Sequence, residues 1–579
     1  MTSPRPLALI ISFIHYSLII AVLGALLTGL RILTVKAPIG ALGIWTYIIP
    51  QGSVYLWHGI FAGLLCLTFF AYLYILLAYK RYRLFIPTKA ASNDTHAPQN
   101  KSANSNKALA FIFLQLSVWL ALALLSGAII TGSLQFFSVY AGNYEKLNKI
   151  HQLFAWALLG FFIVHALIAL VAKGIPAVFS IFTPKLGDHK LVLATTSLAV
   201  ALALSFIYIF IPKQLQQELV IHALSDKPDG LTSEGASESI QLDGEASDSI
   251  WKHIRAVHVT TVGGSSLENG QVTVSVKAAH DHKHAYFLFR WPDASRSLKH
   301  TPLIKTEEGW RIMQSGLLNA DETGFYEDKF AVMLSRSDEI AGAGTLKLGH
   351  RPLKHHPRPI GQRGLHYTDD GSVTDVWQWK AVRTGFSLGQ ADDNHFGAAL
   401  PSDSEFKRYT GGYQRDDDCE HLVRWEAGDY QLKPECGGYI SNWKLLKEGI
   451  VQPRRLPKNL NAVKHIDKLD LRHNSSDRGK WWMDWQDSQV YSADSDTLPL
   501  GSVIPSVLSL GPFKQGRGDV SAAASWRDGY WSLEIKRSLS SNSKYDLPIE
   551  DGIFFWLAVF NHSQTRHSYH LHPLKIKMN

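Results

Sequence analysis

The distribution of apolar positions divides the chain into two parts of different character. Up to about residue 212 long apolar runs dominate, and beyond it polar sequence surrounds short segments of alternating or β-branched and aromatic residues. A helix needs roughly 20 apolar residues to cross a bilayer, whereas short alternating segments are typical of strands. The pattern predicts a membrane α-helical bundle followed by an all-β sandwich domain.

Five apolar runs are long enough to be transmembrane helices, and we expect all five to span the membrane. The first run has no small-residue cleavage site and is too long for a signal peptide. A polar stretch between the second and third runs, 88–106, is typical of a flexible linker. The runs cover residues 7–30, 53–79, 108–134, 150–172 and 191–211.

Lysines and arginines indicate how the helices are oriented. The loops after the second and fourth runs carry six and three of them, against two in each of the other loops. The positive-inside rule places the richer loops in the cytoplasm, so the N-terminus is predicted inside and the β domain outside. The predicted domains are a transmembrane unit (1–215), a linker (216–239) and an outer domain (240–579).

Four histidines lie within or at the edges of the apolar runs, where ionisable side chains usually mark function. His151 and His165 are fourteen residues apart, which places them on nearly the same helix face about 21 Å apart. Because successive helices alternate in direction, His15 matches His165 in depth and His58 matches His151. Two depth-matched pairs predict two stacked haems with bis-imidazole ligation, which favours electron transfer. Polar contacts between helices are the alternative interpretation.

This arrangement resembles the two-haem cytochrome b subunits of bacterial nickel hydrogenases and formate dehydrogenases. That family has one haem-ligating histidine on each of the first two helices and two on the fourth, fourteen residues apart. The resemblance covers residues 7–175. It implies two haem b groups and a multi-pass protein of the bacterial inner membrane. It also implies electron exchange between the quinone or quinol pool and a periplasmic redox protein, such as a cytochrome c or an oxidoreductase subunit.

The outer domain resembles a second family. It opens with an L-D-G-x(6)-W motif at 242–251, continues to F-R-W-P-D at 289–293, and contains D-V-W-Q-W-K at 375–380 and D-D-N-H-F-G at 392–397. These motifs and the stretch 519–570 resemble the haem-binding domain related to the gamma subunits of ethylbenzene dehydrogenase and dimethyl sulfide dehydrogenase. The resemblance covers residues 240–579.

The second resemblance implies one further haem b, held in the gamma subunits by a methionine and a lysine. This chain departs at both positions, where His350 and His567 stand instead. We therefore predict a third haem b in the periplasmic domain with these two histidines as ligands, and with Met333 and Lys380 as reserve ligands. No Cys-x-x-Cys-His motif is present, so covalent haem attachment is not supported.

Two other functional classes remain open. L-D-G…W openings also occur in carbohydrate-binding sandwiches, so a membrane-tethered carbohydrate- or ligand-binding module is one alternative. A haem oxidoreductase acting on a small molecule is the other, if either outer histidine is not a ligand. No catalytic residue is predicted, and an electron-transfer subunit is favoured over a stand-alone enzyme.

Composition adds a few constraints. The net charge is +8, but no basic helix or basic–aromatic module stands out, so no nucleic-acid partner is predicted. Cys419 and Cys436 could form one disulfide outside the cytoplasm, and Cys66 lies in an apolar run. His280, His282 and His284 could share one strand face around a metal, and acidic residues at 392–393 and 416–418 could bind calcium, although solvated loops explain such groups more often.

Overall fold

The structure is a computed structural model that describes most of the 579 residues. In the N-terminal part it describes residues 5–36, 54–78, 101–137 and 144–179. In the C-terminal part it describes 217–224 and 240–579, with gaps at 265, 314–324, 339–346, 349–365, 369–370, 398–412, 417–421, 425–429, 433–435, 448, 460–463, 466–478, 542, 565–566 and 571.

The described N-terminal residues form a unit of four long helices. They are α1 (Arg5–Lys36), α2 (Val54–Ala78), α3 (Lys101–Phe136) and α4 (Tyr144–Phe179). Each contains a span long and apolar enough to cross a membrane. Four of the predicted spans are therefore helical, and the fifth, 191–211, lies outside the described residues.

Helix α3 begins earlier than its apolar run. Residues 101–106 were predicted to belong to a flexible linker, but they form the first turns of α3. The prediction was wrong there because adding residues to an existing helix costs little, so a polar segment can extend an apolar helix beyond the membrane. The rest of the predicted linker, 88–100, lies outside the described residues.

The C-terminal unit is built on one twelve-stranded sheet. The spatial order is β8-β7-β6-β5-β11-β12-β1-β3-β4-β10-β9, with β2 paired to β3. In chain order these strands are β1 (Gln217–Ala223), β2 (Val257–Val262), β3 (Gln271–His280), β4 (His284–Pro292), β5 (Lys329–Ser335), β6 (Thr374–Lys380), β7 (Asp392–Phe396), β8 (Tyr413–Arg415), β9 (Ser521–Arg527), β10 (Tyr530–Ser538), β11 (Phe554–Phe560) and β12 (Leu574–Met578).

Shorter strands form smaller sheets in the same unit. One six-stranded sheet contains Trp443–Lys447, Ile450–Pro453, Gly309–Ile312, Leu303–Thr306, Ser502–Ile504 and Lys464–His465, in that order. A three-stranded sheet contains Tyr439–Ser441, Val507–Ser509 and Met483–Asp484. Three pairs complete the set: Leu422–Arg424 with Tyr430–Leu432, Arg455–Pro457 with Ser488–Val490, and Lys347–Leu348 with His366–Tyr367.

The large sheet folds over on itself to make a two-layer core. Phe289 on β4 lies 4.7 Å from Phe330 on β5, between ring centroids, although these strands are far apart in the sheet order. Five tryptophans are fully buried: Trp251, Trp291, Trp377, Trp379 and Trp531. Four of these tryptophans belong to this core, where large aromatic rings bury much apolar area per residue, and Trp251 belongs to a neighbouring cluster. The predicted all-β fold class is confirmed.

Strand β1 corrects one domain boundary. The segment 216–239 was predicted to be a linker, but Gln217–Ala223 pairs in parallel with both β12 and β3. The β unit therefore starts at Gln217. The strand was missed because a seven-residue segment among polar residues carries a weak periodic signal.

The L-D-G-x(6)-W motif has a structural explanation. The buried carboxylate of Glu534 accepts hydrogen bonds from the backbone N–H groups of Asp243 and Gly244 and from the indole Nε1–H of Trp251. Gly244 has φ +76°, and a Cβ there would lie 2.5 Å from the backbone of Ala524. The motif therefore binds the start of the domain to β9 and β10.

The structure also bears on the predicted disulfide and on the predicted histidine cluster. Cys436 is disulfide-bonded and Cys66 is free, whereas Cys419, the partner predicted for Cys436, lies outside the described residues. His280 and His284 instead flank the β3–β4 turn, where His284 bonds Asp281. The three histidines therefore do not share one strand face as predicted.

We expect Gly244→Ala to lower the free energy of unfolding of the β unit by about 3 kcal/mol. The new Cβ combines an unfavourable positive φ with overlap against the Ala524 backbone. Gly552→Ala is the matched control, because Gly552 also has positive φ (+90°) but open space around it, and its cost is about 1 kcal/mol. Urea titration of tryptophan fluorescence measures both. Equal losses would show that the contact with β9 contributes nothing.

Candidate functional site

The structure brings His58 and His151 together. His58 lies near the start of α2 and His151 near the start of α4. Their ring centroids are 6.4 Å apart and the ring planes are perpendicular. Because α2 and α4 both begin at this end of the bundle, the depth match predicted for this pair is present.

A threonine sets the protonation of the His58 ring. The hydroxyl of Thr28 donates its proton to the carbonyl of Gly24, 2.6 Å away. The same oxygen lies 3.0 Å from Nδ1 of His58. With its own proton on Gly24 it accepts a hydrogen bond there, and the ring also bonds the backbone of Ala25, so Nδ1 carries the ring proton. Nε2 of His58 therefore keeps its lone pair, the form in which imidazole binds a metal.

His151 on α4 has an equivalent threonine neighbour, Thr131, on α3. The hydroxyl of Thr131 donates to the carbonyl of Gly127 at 2.7 Å and lies 2.9 Å from Nδ1 of His151. This again places the proton on Nδ1 and the lone pair on Nε2. Both imidazoles of the pair are thus prepared as ligands by one hydroxyl each.

The two threonines belong to a short internal repeat that sequence reasoning missed. Helix α1 contains Gly24-Ala-Leu-Leu-Thr-Gly and α3 contains Gly127-Ala-Ile-Ile-Thr-Gly. A Cβ on Gly24 would overlap Phe61, which is three residues after His58. A Cβ on Gly127 would overlap Phe154, which is three residues after His151. A Cβ on the last glycine would lie 3.2 Å from the His58 ring or 3.1 Å from the His151 ring. The repeat itself was the signal, because small residues allow close helix approach.

The other two histidines are less completely defined. Nδ1 of His165 lies 3.1 Å from the hydroxyl of Ser117 on α3, and its ring stacks on Phe161 at 5.3 Å. His15 is partly buried on α1. The pairing of His15 with His165 stays a prediction.

The dimensions of the His58–His151 pair fit a metal between the rings. Two metal–nitrogen bonds of about 2 Å each, plus about 1 Å from each nitrogen to its ring centroid, separate the centroids by about 6 Å. The observed 6.4 Å agrees with this span. Neutral imidazoles with free Nε2 lone pairs are common iron ligands, so His58 and His151 would hold a b-type haem, which would supply one-electron chemistry.

In the β unit only one of the two predicted ligands can be described. His350 lies outside the described residues. His567 is half-buried beside Phe560, and its Nδ1 lies 2.8 Å from the carbonyl of Ser568, so Nε2 carries the lone pair. Burial lowers the pKa of His567, with a smaller contribution from the nearby Lys329, so the ring is neutral near pH 7.

The two reserve ligands are engaged elsewhere. Lys380 is buried and forms an ion pair with Asp392, which Arg517 also contacts at 2.6 Å. Although burial raises it, Arg517 and Lys380 hold the pKa of Asp392 well below its usual range. The Lys380 amine is thus committed to a carboxylate. Met333 packs in a small apolar cluster with Val376 and Trp556.

Comparisons with known families agree with both halves of this description. Residues 248–571 match the family described as ethylbenzene dehydrogenase, over more than half of the chain. The chain belongs to the ethylbenzene dehydrogenase family. Residues 7–184 of this ethylbenzene dehydrogenase family member match prokaryotic cytochrome b561. The fusion predicted from sequence is therefore confirmed, and the helical unit is a membrane b-type cytochrome of the electron-transfer class.

Similar solved structures add little. A carbohydrate-binding module family 9 protein from Caldicellulosiruptor kristjanssonii in complex with glucose is 9% identical, covers 63% of this chain and 96% of its own, and has a TM-score of 0.20. A putative carbohydrate-binding protein from Bacteroides uniformis is 7% identical, covers 63% and 99%, and has a TM-score of 0.22. These TM-scores are too low to inform fold or ligand. A search of curated proteins gives no match.

We expect Thr131→Val to weaken haem binding at the His58–His151 site by about 10- to 100-fold, because the imidazole of His151 loses one of the two acceptors that orient it. The haem that still binds at this site should have a reduction potential higher by roughly 30–60 mV, because the His151 imidazole becomes a weaker electron donor to the iron. Haem titration and potentiometry measure both effects. Thr68→Val is the control, since Thr68 bonds only to backbone carbonyls of α2. The assignment fails if both variants behave alike.

Proposed function

We propose that this protein transfers electrons between the membrane quinone pool and a periplasmic redox partner. Two membrane haems, one held by His58 and His151 and one by His15 and His165, carry the electrons, and a third haem in the outer domain continues the path. The observation that carries the proposal is the facing pair His58–His151, with both Nε2 lone pairs set by threonine hydroxyls.

Ligation by two imidazoles favours electron transfer over substrate chemistry. When bound, haem supplies one-electron chemistry, and two axial protein ligands leave no open position for a substrate. The chain's own contribution is to hold both imidazoles neutral and oriented, and to exclude water with apolar helix faces. The fourteen-residue spacing of His151 and His165 places the two sites about 21 Å apart along α4.

The proposed topology follows from the charged loops. With the lysine- and arginine-rich loops in the cytoplasm of a bacterial inner membrane, the N-terminus is inside and the β unit is periplasmic. The His58–His151 site is then near the periplasmic face, and the His15–His165 site near the cytoplasmic face. A fifth span at 191–211 would connect the helical unit to the periplasmic one.

The proposed ligands of the third haem are His567 and His350. His567 offers a neutral ring with its Nε2 lone pair available, as an iron ligand requires. Lys329, whose ammonium donates to the carbonyl of Gln564 at 2.9 Å and lies 4.0 Å from the Phe560 ring, places positive charge beside this ring. Such a charge suits the carboxylate groups of a haem.

The alternative of a carbohydrate-binding module has less support. Sugar platforms need exposed tryptophan faces, but five tryptophans of the β unit are fully buried. Among the described residues of that unit no tryptophan is exposed, and four are partly buried. The described tryptophans therefore give a sugar platform little support.

Haem counting of single variants tests the proposal. In the full-length protein, His58→Ala should reduce three haems per chain to two, and His567→Ala should also remove one, because each change deletes an axial ligand. Pyridine haemochrome and reduced-minus-oxidised spectra measure the content. His258→Ala is the control, because His258 is an exposed strand residue.

The outcomes separate the parts of the proposal. Two haems in the unmodified protein, with no loss in His567→Ala, would restrict the path to the membrane unit. Unchanged haem content in His58→Ala would exclude the membrane assignment itself. Reduction of the haems by an added quinol, and its loss in His58→Ala, would test the link to the quinone pool.

A further inference from the structure

One end of the sandwich core is acidic. The inner face of β6 continues from Trp379 and Trp377 to Asp375, and its partner strand β7 places Asp393 directly opposite Trp377. On β10, the inner-face series Leu533 and Ile535 ends at Arg537. The alternation that builds the apolar core therefore ends in charged residues on both layers.

Three carboxylates converge at this end. One oxygen each from Asp375, Asp393 and Asp546 lies within 4.8 Å of the others. The side chains of Asp375 and Asp546 are 0% and 2% exposed, and Asp393 is fully buried. Since two oxygens on opposite sides of a Ca²⁺ ion are about 4.8 Å apart, at bonds of about 2.4 Å, this spacing allows one ion to contact all three.

Several oxygens of this cluster have no hydrogen-bond donor. Both carboxylate oxygens of Asp393, and Oδ1 of Asp375 and of Asp546, are buried without a hydrogen-bond partner among the described residues. Buried carboxylate oxygens are costly unless they are paired or coordinate a metal. The two unpartnered oxygens of Asp393 are thus an independent indication of a ligand.

The charges of the cluster match a divalent ion. Arg537 lies 2.9 Å from both Asp375 and Asp546, so it compensates one of the three carboxylates. A fourth acid, Asp416, contacts His395 at 2.7 Å. Counting the three cluster carboxylates against Arg537 leaves two negative charges, which one divalent cation would neutralise.

Asp392 shows that the cluster is specific to one sheet face. Although adjacent in sequence, Asp392 and Asp393 point to opposite faces of β7, and Asp392 is bound by Lys380 and Arg517. The prediction that Asp392 and Asp393 together form a calcium site is therefore wrong. Only Asp393 joins the other two acids.

We propose that Asp375, Asp393 and Asp546 bind a divalent cation, and that the ion is Ca²⁺. All ligands are hard oxygens, the site is buried, and carboxylate cages built mainly from protein suit Ca²⁺ better than Mg²⁺, which keeps its waters. The ion joins β6 and β7 to the segment 541–547, whose Leu547 N–H and carbonyl bond Asp375 and Arg537. The site is structural and stabilises the end of the core.

The alternative is that protons, not a metal, neutralise the cluster. Burial raises the pKa of Asp375 to about 7, and burial and the neighbouring carboxylates raise that of Asp393 well above its usual range. A proton-sharing cluster would be stable without any metal. Metal content and sensitivity to chelator separate the two cases.

The test uses full-length protein in detergent. Elemental analysis of protein purified without added metal should find about one calcium per chain, and none in Asp393→Asn. Thermal unfolding followed by tryptophan fluorescence should give a midpoint about 5 °C higher in 1 mM CaCl₂ than in 1 mM EGTA. The shift should disappear in Asp393→Asn and persist in Asp494→Asn, an exposed aspartate that serves as the matched control.

In EGTA, Asp393→Asn should unfold at a higher temperature than the unmodified protein, because one of the repelling carboxylates becomes neutral. The proposal is overturned in favour of shared protons if the unmodified protein contains no calcium and its thermal unfolding midpoint is the same in CaCl₂ and in EGTA. An equal shift with MgCl₂ would overturn the assignment to calcium. If Asp393→Asn fails to fold, the calcium content and EGTA response of the unmodified protein decide.

Discussion

An imidazole N–H buried between membrane helices must find its acceptor inside the protein, because lipid offers none. In this chain each ring has two acceptors: a threonine hydroxyl whose single proton is donated to the preceding turn of its own helix, and a backbone carbonyl of that turn, Ala25 for His58 and Ala128 for His151. That constraint determines the tautomer of His58 and His151 and leaves Nε2 of each ring for a metal. Without it, two neutral histidines 6.4 Å apart would be polar contacts of no particular chemistry. The proposed electron path therefore depends on how two threonines and the helix turns before them hold the imidazoles.

The glycines around His58 and His151 position the helices and the two rings. Gly24 and Gly127 allow Phe61 and Phe154 to pack directly on a helix backbone, which sets how closely the helices approach. Gly29 and Gly132 lie beside the imidazole rings, where a larger side chain would push the ring away from its threonine. Helix spacing and ligand orientation are thus controlled by the same six-residue repeat, once on α1 and once on α3.

The β unit solves a different problem, since its sheet must bury many charged groups around a core of aromatic residues. Several buried carboxylates are reached by N–H donors or by cations, as Glu534 is by three N–H groups and Asp392 by Lys380 and Arg517. In the Asp375, Asp393 and Asp546 cluster, Arg537 faces three carboxylates. An uncompensated buried charge is among the most costly features a core can contain, so a cation or protons must complete it.

The sequence by itself determined the features that depend on local pattern. Apolar run lengths predicted four helices correctly, a fourteen-residue spacing placed His151 and His165 on one face, and short motifs identified both families. The tertiary structure decided the features that depend on distant segments meeting. Thr28 contacts His58 thirty residues away, β1 pairs with β12 across the length of the unit, and Asp375 meets Asp546 only when the two layers close. Periodicity along a chain specifies which face a side chain is on, but the partner across that face is chosen by helix packing and strand register, which no local pattern contains.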